Sequence, residues 1–202
     1  MRAKHVLIPW KYFGKKINVS DFTHIRAYHA CRIEDIKEYQ VKGLQSIDES
    51  MALANALRIL GRFEKSKQRI ENKFQERWDV ANKDHLRFKV WLGLKKSDLL
   101  GLSCHYLVYG SEFLISVASD LGYRHMLKTV GHAYILTCEI PLKNILPSWL
   151  EDLCYHIENG CECGCGCGFP VDRVLPEEII KFEIQSRVVE DPLEGYSKVK
   201  LG

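Results

Sequence analysis

The chain has 202 residues, 46% of them hydrophobic and 27% charged, a balance that excludes a disordered chain and supplies a full core. No apolar run approaches the roughly 20 residues of a membrane-spanning helix, and a net charge of +3 is too small to imply nucleic-acid binding by itself. The opening MRAKHVLIPWKYFGKK is broken by charge too soon to read as a signal peptide, so the expected location is cytoplasmic, with one domain over 1–202.

In chain order, KHVLI (4–8) and FTHIRAYH (22–29) read as short strands, which puts His29 at a strand end. Residues 33–42 read as a helix with Ile33, Ile36 and Val41 inward and Gly43 as its stop. From 48 to 92 the pattern is helical. Asp48 or Ser50 is the cap, Leu53, Leu57, Leu60 and Phe63 form a core stripe, and Gly61 is a break between two helices. From Arg58 to Lys96 there are twelve Lys and Arg against five Asp and Glu, so 48–96 reads as a basic helical insertion with a solvated face. LSCHYLVYGS (102–111) reads as a strand ending at Gly110, and SEFLISVASDLG (111–122) as a helix capped by Ser111 with Phe113, Val117 and Leu121 on one face. HAYILTCEIPL (132–142) is the clearest strand. A short helix at 146–156 leads to the loop ENGCECGCGCGFP, and VDRVLP and IIKFEIQSRVV return as two more strands or a bent pair. Strands at both ends with helices between them predict an α+β fold.

Of the eight cysteines, four fall within seven residues, Cys161, Cys163, Cys165 and Cys167, in a Cys/Gly-rich loop at 154–168 that also holds Cys154 and His156. Thiolates on flexible backbone suit a soft ion such as zinc or copper(I), but C-x-C-x-C-x-C lacks the two separated pairs of a zinc finger. Reduced free thiols are the alternative, and a disulfide framework is not expected.

Three polar residues stand at predicted strand ends: His29, then Tyr109 in LVYGS, then Asp172 in FPVDRVLPEEIIKFEI. The stretch YHAC with IEDIKEYQVKGL behind it, VYGSEFLISVAS, AYILTCEIPL and DRVLPEEIIKFEI, taken in that order, resembles the ADP-ribosyltransferase superfamily. Cys31 stands where threonine is commoner in that group. Asp172, four positions before Pro176, stands where glutamate is usual, although the rifamycin-modifying branch uses Asp. His29 and Tyr109 are 80 residues apart, so the resemblance treats 48–96 as an insertion in a split-sheet core.

The resemblance implies that NAD is cleaved at its nicotinamide–ribose bond and that ADP-ribose passes to a macromolecular acceptor, protein or nucleic acid. Asp172 would hold the ribose 2′-hydroxyl and face the developing positive charge, with Glu177 and Glu178 as the next acids in line. Tyr109 would stack on nicotinamide, while His29 would hold a ribose hydroxyl beside the carboxamide-gripping backbone of Ala30. Arg32 is a candidate for the pyrophosphate or an ordinary helix-start arginine, and Ser111 a ribose contact or a helix cap. The cysteine loop would lie where acceptors are recognised, and toxin, defence and effector settings are all compatible. Two rivals stand beside this reading: an NAD-dependent RNA 2′-phosphotransferase of the same fold, and a metal-binding module that contacts nucleic acid through 58–96.

Overall fold

The computed structural model describes residues 4–84, 86, 88–160 and 167–202. Its elements in order are β1 (Val6–Leu7), β2 (His24–Ile33), α1 (Lys37–Lys42), β3 (Leu44–Gln45), α2 (Glu49–Leu60), α3 (Lys67–Ala81), β4 (Val90–Gly93) and α4 (Lys96–Leu100). They continue with α5 (His105–Val108), α6 (Glu112–Leu121), β5 (His132–Pro141), α7 (Pro147–Glu158), β6 (Gly168–Val171), β7 (Arg173–Val174), β8 (Ile179–Ile184), β9 (Val188–Asp191) and β10 (Ser197–Lys200). The fold is mixed α and β around a sheet in the order β6-β4-β2-β5-β8. All of those neighbours pair antiparallel, and β1 adds to the start of β2 in parallel.

The backbone of the sheet is the ten-residue ladder of β2 with β5, from His24 opposite Pro141 to Ile33 opposite His132. This pairing carries β2 four residues past His29, so His29 lies inside the strand and α1 starts only at Lys37. Within α1 it is Tyr39 that packs on the core, while Val41 is exposed, contrary to the expected inward face. The other edge of β2 is broken: β1 occupies it at His24 and Ile25, and β4 touches it through a single bridging pair, Tyr28 with Gly93.

Alternation along β2 separates two cores. Tyr28 and Ala30 face the helices, where Leu60, Phe74, Trp78, Leu107, Val117 and Leu121 are buried. Ile25, Ala27 and Cys31 face a second core with Leu92, Leu136, Leu153, Ile157 and Phe169.

The helical region breaks at Gly61 as expected and then ends at Ala81, eleven residues short of the predicted 92. Asp48 caps α2 through the Met51 amide at 2.8 Å, and Ser66 caps α3 through that of Arg69 at 3.3 Å. Beyond α3 a ring cluster takes over: Trp78 stacks on Phe88 at 4.2 Å between centroids, with Phe113 edge-on to both. That anchor delivers residues 90–93 to the sheet as β4, where Val90 and Leu92 are buried and Trp91 between them is exposed. The segment 48–96 is therefore not purely an insertion, since its last part supplies a strand of the main sheet. The described arginines of this basic stretch are engaged: Arg58 and Arg62 with Glu34, Arg69 with Glu64, and Arg77 with Asp120.

The expected strand at 102–111 is instead helical through α5, because Cys104, Leu107 and Val108 fall on one side of a turn and bury together. Short apolar runs fit either period. Ser111 caps α6 through the Leu114 amide at 3.3 Å, and Gly122 closes it in the left-handed region. The predicted helix at 146–156 forms as α7 and runs on to Glu158, so Cys154 and His156 are helical rather than part of a loop.

Gly43 closes α1 at φ 70°, and a Cβ there would lie 2.0 Å from the Val174 carbonyl oxygen, where β3 meets β7. Gly43→Ala is expected to lower stability by about 1–3 kcal/mol, read as a fall in thermal midpoint. Gly14 is also at positive φ but meets nothing within 4 Å, so Gly14→Ala should lower stability less. Equal midpoints for the two variants would contradict the close approach.

Candidate functional site

The break between β2 and β4 holds the first predicted site residue. His29 is half-buried, opposite Leu136, and its Nδ1 lies 3.0 Å from the Trp91 carbonyl oxygen. A carbonyl only accepts, so Nδ1 carries the proton and the neutral ring keeps its Nε2 lone pair. Burial holds the imidazole below its usual titration range and the Trp91 hydrogen bond offsets this only in part, which favours the neutral ring at neutral pH. The side chain thus bonds β4 close to the one pair where the two strands bridge.

β4 runs between β2 and β6, with Val90 opposite Val171 and Trp91 opposite Pro170. One step on, Lys89 faces Asp172, and the ammonium pairs with the carboxylate. Phe169 and Val171 point into the core, so Asp172 points out of it, and its side chain is 79% exposed. Strand spacing and register put the backbones of His29 and Asp172 about 14 Å apart, across β4. Trp91 occupies the strand between them. It is 40% exposed, its indole N–H donates to the Leu86 carbonyl at 3.1 Å, and its ring meets Trp149 edge-on at 5.5 Å.

Tyr109 is elsewhere. It closes α5 with its ring buried in the helical core, and its hydroxyl donates to Asp191, which is fully buried. Lys128 Nζ lies 2.9 Å from the same carboxylate and 5.3 Å from the Tyr109 ring centre. The expected strand-end tyrosine is thus a structural residue that ties β9 to the helices.

Arg32 is likewise committed. Its Nε donates to the Val130 carbonyl at 2.7 Å, Nη1 to Leu107 at 3.0 Å and Nη2 to Lys128 at 2.5 Å. The guanidinium closes three backbone carbonyls around the end of β2, which commits three of its five N–H donors to the fold. Ser111 is the cap of α6, as the blander reading had it. Ala30 is buried opposite Ile135.

The metal reading of the cysteine tract falls mainly on Cys161, Cys163 and Cys165, which lie outside the described residues. Cys167 is buried and disulfide-bonded, contrary to the expectation of thiolate ligands or free thiols. Among the described residues no group of three or more His, Cys, Asp and Glu side chains is arranged to hold a metal ion.

The structure therefore puts His29 and Asp172 on the two strands that flank β4 but, by alternation, on opposite faces of the sheet, and leaves Tyr109 and Arg32 in structural roles. Trp91 and Lys89 were missed because helical periodicity was extended across them. The signal that could have found them is the alternation in KVWLG, apolar-aromatic-apolar before a glycine. No helix among the described residues is long and apolar enough to cross a membrane. No protein-family model, curated protein or solved structure matches the chain.

Proposed function

We propose that the chain is an ADP-ribosyltransferase-like enzyme that cleaves the nicotinamide–ribose bond of NAD and passes ADP-ribose to a macromolecular acceptor. The observation that carries this reading is the pair Trp91 and Asp172, an exposed tryptophan and an exposed carboxylate that share the outward face of the neighbouring strands β4 and β6, with the His29 imidazole bonding the Trp91 carbonyl from the opposite face.

In this reading His29 acts through the strand, holding the Trp91 backbone in place by its bond to the Trp91 carbonyl. Trp91 takes the stacking role first assigned to Tyr109. Asp172, released from Lys89, accepts from the 2′-hydroxyl and faces the oxocarbenium-like charge at the anomeric carbon. That exchange is inexpensive, because an exposed ion pair is worth about 0–1 kcal/mol. The C–N bonding pair leaves with nicotinamide and neutralises its ring, and the acceptor's nucleophile forms the new bond at the vacated carbon. Arg32 contributes by holding the end of β2 in place.

The reading is tested by incubating the protein and a cell lysate with labelled NAD and detecting label on protein and on nucleic acid separately. A labelled macromolecule that disappears with Asp172→Ala supports it, and label on neither class opposes it. For Trp91, the expectation is that Trp91→Ala raises KM for NAD about fivefold to tenfold, the scale of an aromatic contact, while Trp91→Phe stays near wild type. Equal KM values for all three proteins would remove Trp91 from the site.

A further inference from the structure

On the helix-side face of β2, Arg26 and Tyr28 stand one ladder step apart, with Glu139 opposite Arg26 and Thr137 opposite Tyr28 on β5. Tyr28, Thr137 and Glu139 are buried. Arg26 Nη2 donates to Glu139 at 2.5 Å, and Lys4 Nζ reaches the same carboxylate at 2.6 Å. The Nε of Arg26 is nevertheless buried with no hydrogen-bond partner. The Tyr28 and Thr137 hydroxyls also have no partner among the described residues. The Arg26 Nε departs from the rule that buried polar groups are satisfied, and two hydroxyls without a protein partner stand beside it.

The surroundings of this cluster are cationic and aromatic. Lys181 stands opposite Thr137, and Glu183 takes Lys96 at 2.9 Å and Lys181 at 3.2 Å. Four cations, Lys4, Arg26, Lys96 and Lys181, thus surround two carboxylates. Beside them Trp10 is 41% exposed, its ring 5.8 Å from that of Tyr28 and tilted 31° to it. A surplus of positive charge with unfilled donors suits an anion, and an exposed indole next to those donors suits a planar ring attached to it.

We propose that this cluster binds a nucleoside phosphate. Its phosphate oxygens take the accessible N–H groups of the Arg26 guanidinium and the Tyr28 and Thr137 hydroxyls, its base lies on Trp10, and Lys4, Lys96 and Lys181 balance the charge. The site uses neither Trp91 nor Asp172, so it does not depend on the NAD reading. A free nucleotide and the phosphorylated end of an RNA present the same chemistry.

The test is calorimetric titration of the full chain with 5′-AMP, with adenosine, inorganic phosphate and a short 5′-phosphorylated RNA alongside. AMP is expected to bind at least about tenfold tighter than adenosine or phosphate alone. Tyr28→Phe removes a hydroxyl that bonds nothing in the protein, so folding is not at stake, and it should weaken AMP binding about tenfold. Trp10→Ala should weaken it by about the same factor, the scale of one base–aromatic stack. RNA binding as tight as that of AMP assigns the site to a phosphorylated RNA end; weaker RNA binding assigns it to a free nucleotide. The proposal is overturned by absent AMP binding, by phosphate binding as tightly as AMP, or by AMP binding that survives Tyr28→Phe and Trp10→Ala.

Discussion

Replacing Asp172 by alanine is expected to leave the protein folded and to lower NAD turnover at least about a hundredfold, the usual cost of removing one electrostatic group aimed at transition-state charge. The fold should survive because the side chain is 79% exposed and its one ion pair, to Lys89, is itself at the surface. Its backbone contributes separately: the Asp172 carbonyl accepts from the Ser46 amide at 2.9 Å, and alanine keeps that bond. Turnover and circular dichroism measured on the same preparation separate the two effects. Near-normal turnover in a folded variant moves the role to Glu177, which is exposed. Glu178 is buried and accepts from the Leu175 amide at 2.8 Å, which commits it to closing the turn before β8.

The largest stability effect is expected at Asp191. This fully buried carboxylate accepts from the Tyr109 hydroxyl, the Lys128 ammonium and the Leu193 amide, and so fastens β9 and β10 to the helical core. Removing one partner of a buried charge pair leaves the other uncompensated, so Asp191→Ala should cost about 3–5 kcal/mol, measured by urea denaturation. Tyr109→Phe should cost less, about 1–2 kcal/mol, because it removes a donor and leaves the Lys128 pair in place.

The same cluster sets a pH dependence. Burial pushes the Asp191 carboxyl up, but the Tyr109 hydroxyl, Lys128 and the Leu193 amide together hold it below its ordinary value. A depressed folded value means the contribution is complete above the ordinary Asp range, near pH 4, and is lost as pH falls through the lower folded value. Burial and the Asp191 bond raise the Tyr109 phenol, so its share is present below its ordinary value and is lost as pH rises through the raised one. The acid limb of the stability curve should flatten in Asp191→Ala, and an unchanged limb would contradict the assignment.

How much of this was legible in the sequence depended on whether local pattern or tertiary pairing decided the element. β5, α6 and α7 are long and periodic and carry their own caps or a first-turn proline, so their period and stop signals suffice. β4 was missed because its four residues follow a long helical pattern, and what makes them a strand is pairing with β6 and the ring cluster at Phe88. α5 was misread because LSCHYLV buries equally well at either period. At the site, His29 and Asp172 were named, but the roles of Tyr109 and Arg32 were not recoverable. Their partners, Asp191 for one and three carbonyls for the other, come from segments 75 or more residues away.

The central claim is that the outward face of β4 and β6, with Trp91 and Asp172, is a catalytic NAD site, and the most direct measurement is release of free nicotinamide from NAD by the purified protein. The account predicts steady release by the wild type, reduced in His29→Ala and in Asp172→Ala, with all three proteins giving the same far-ultraviolet circular dichroism. Release that is absent from the folded wild type, supplied with lysate as acceptor, or equal in all three proteins, would contradict it.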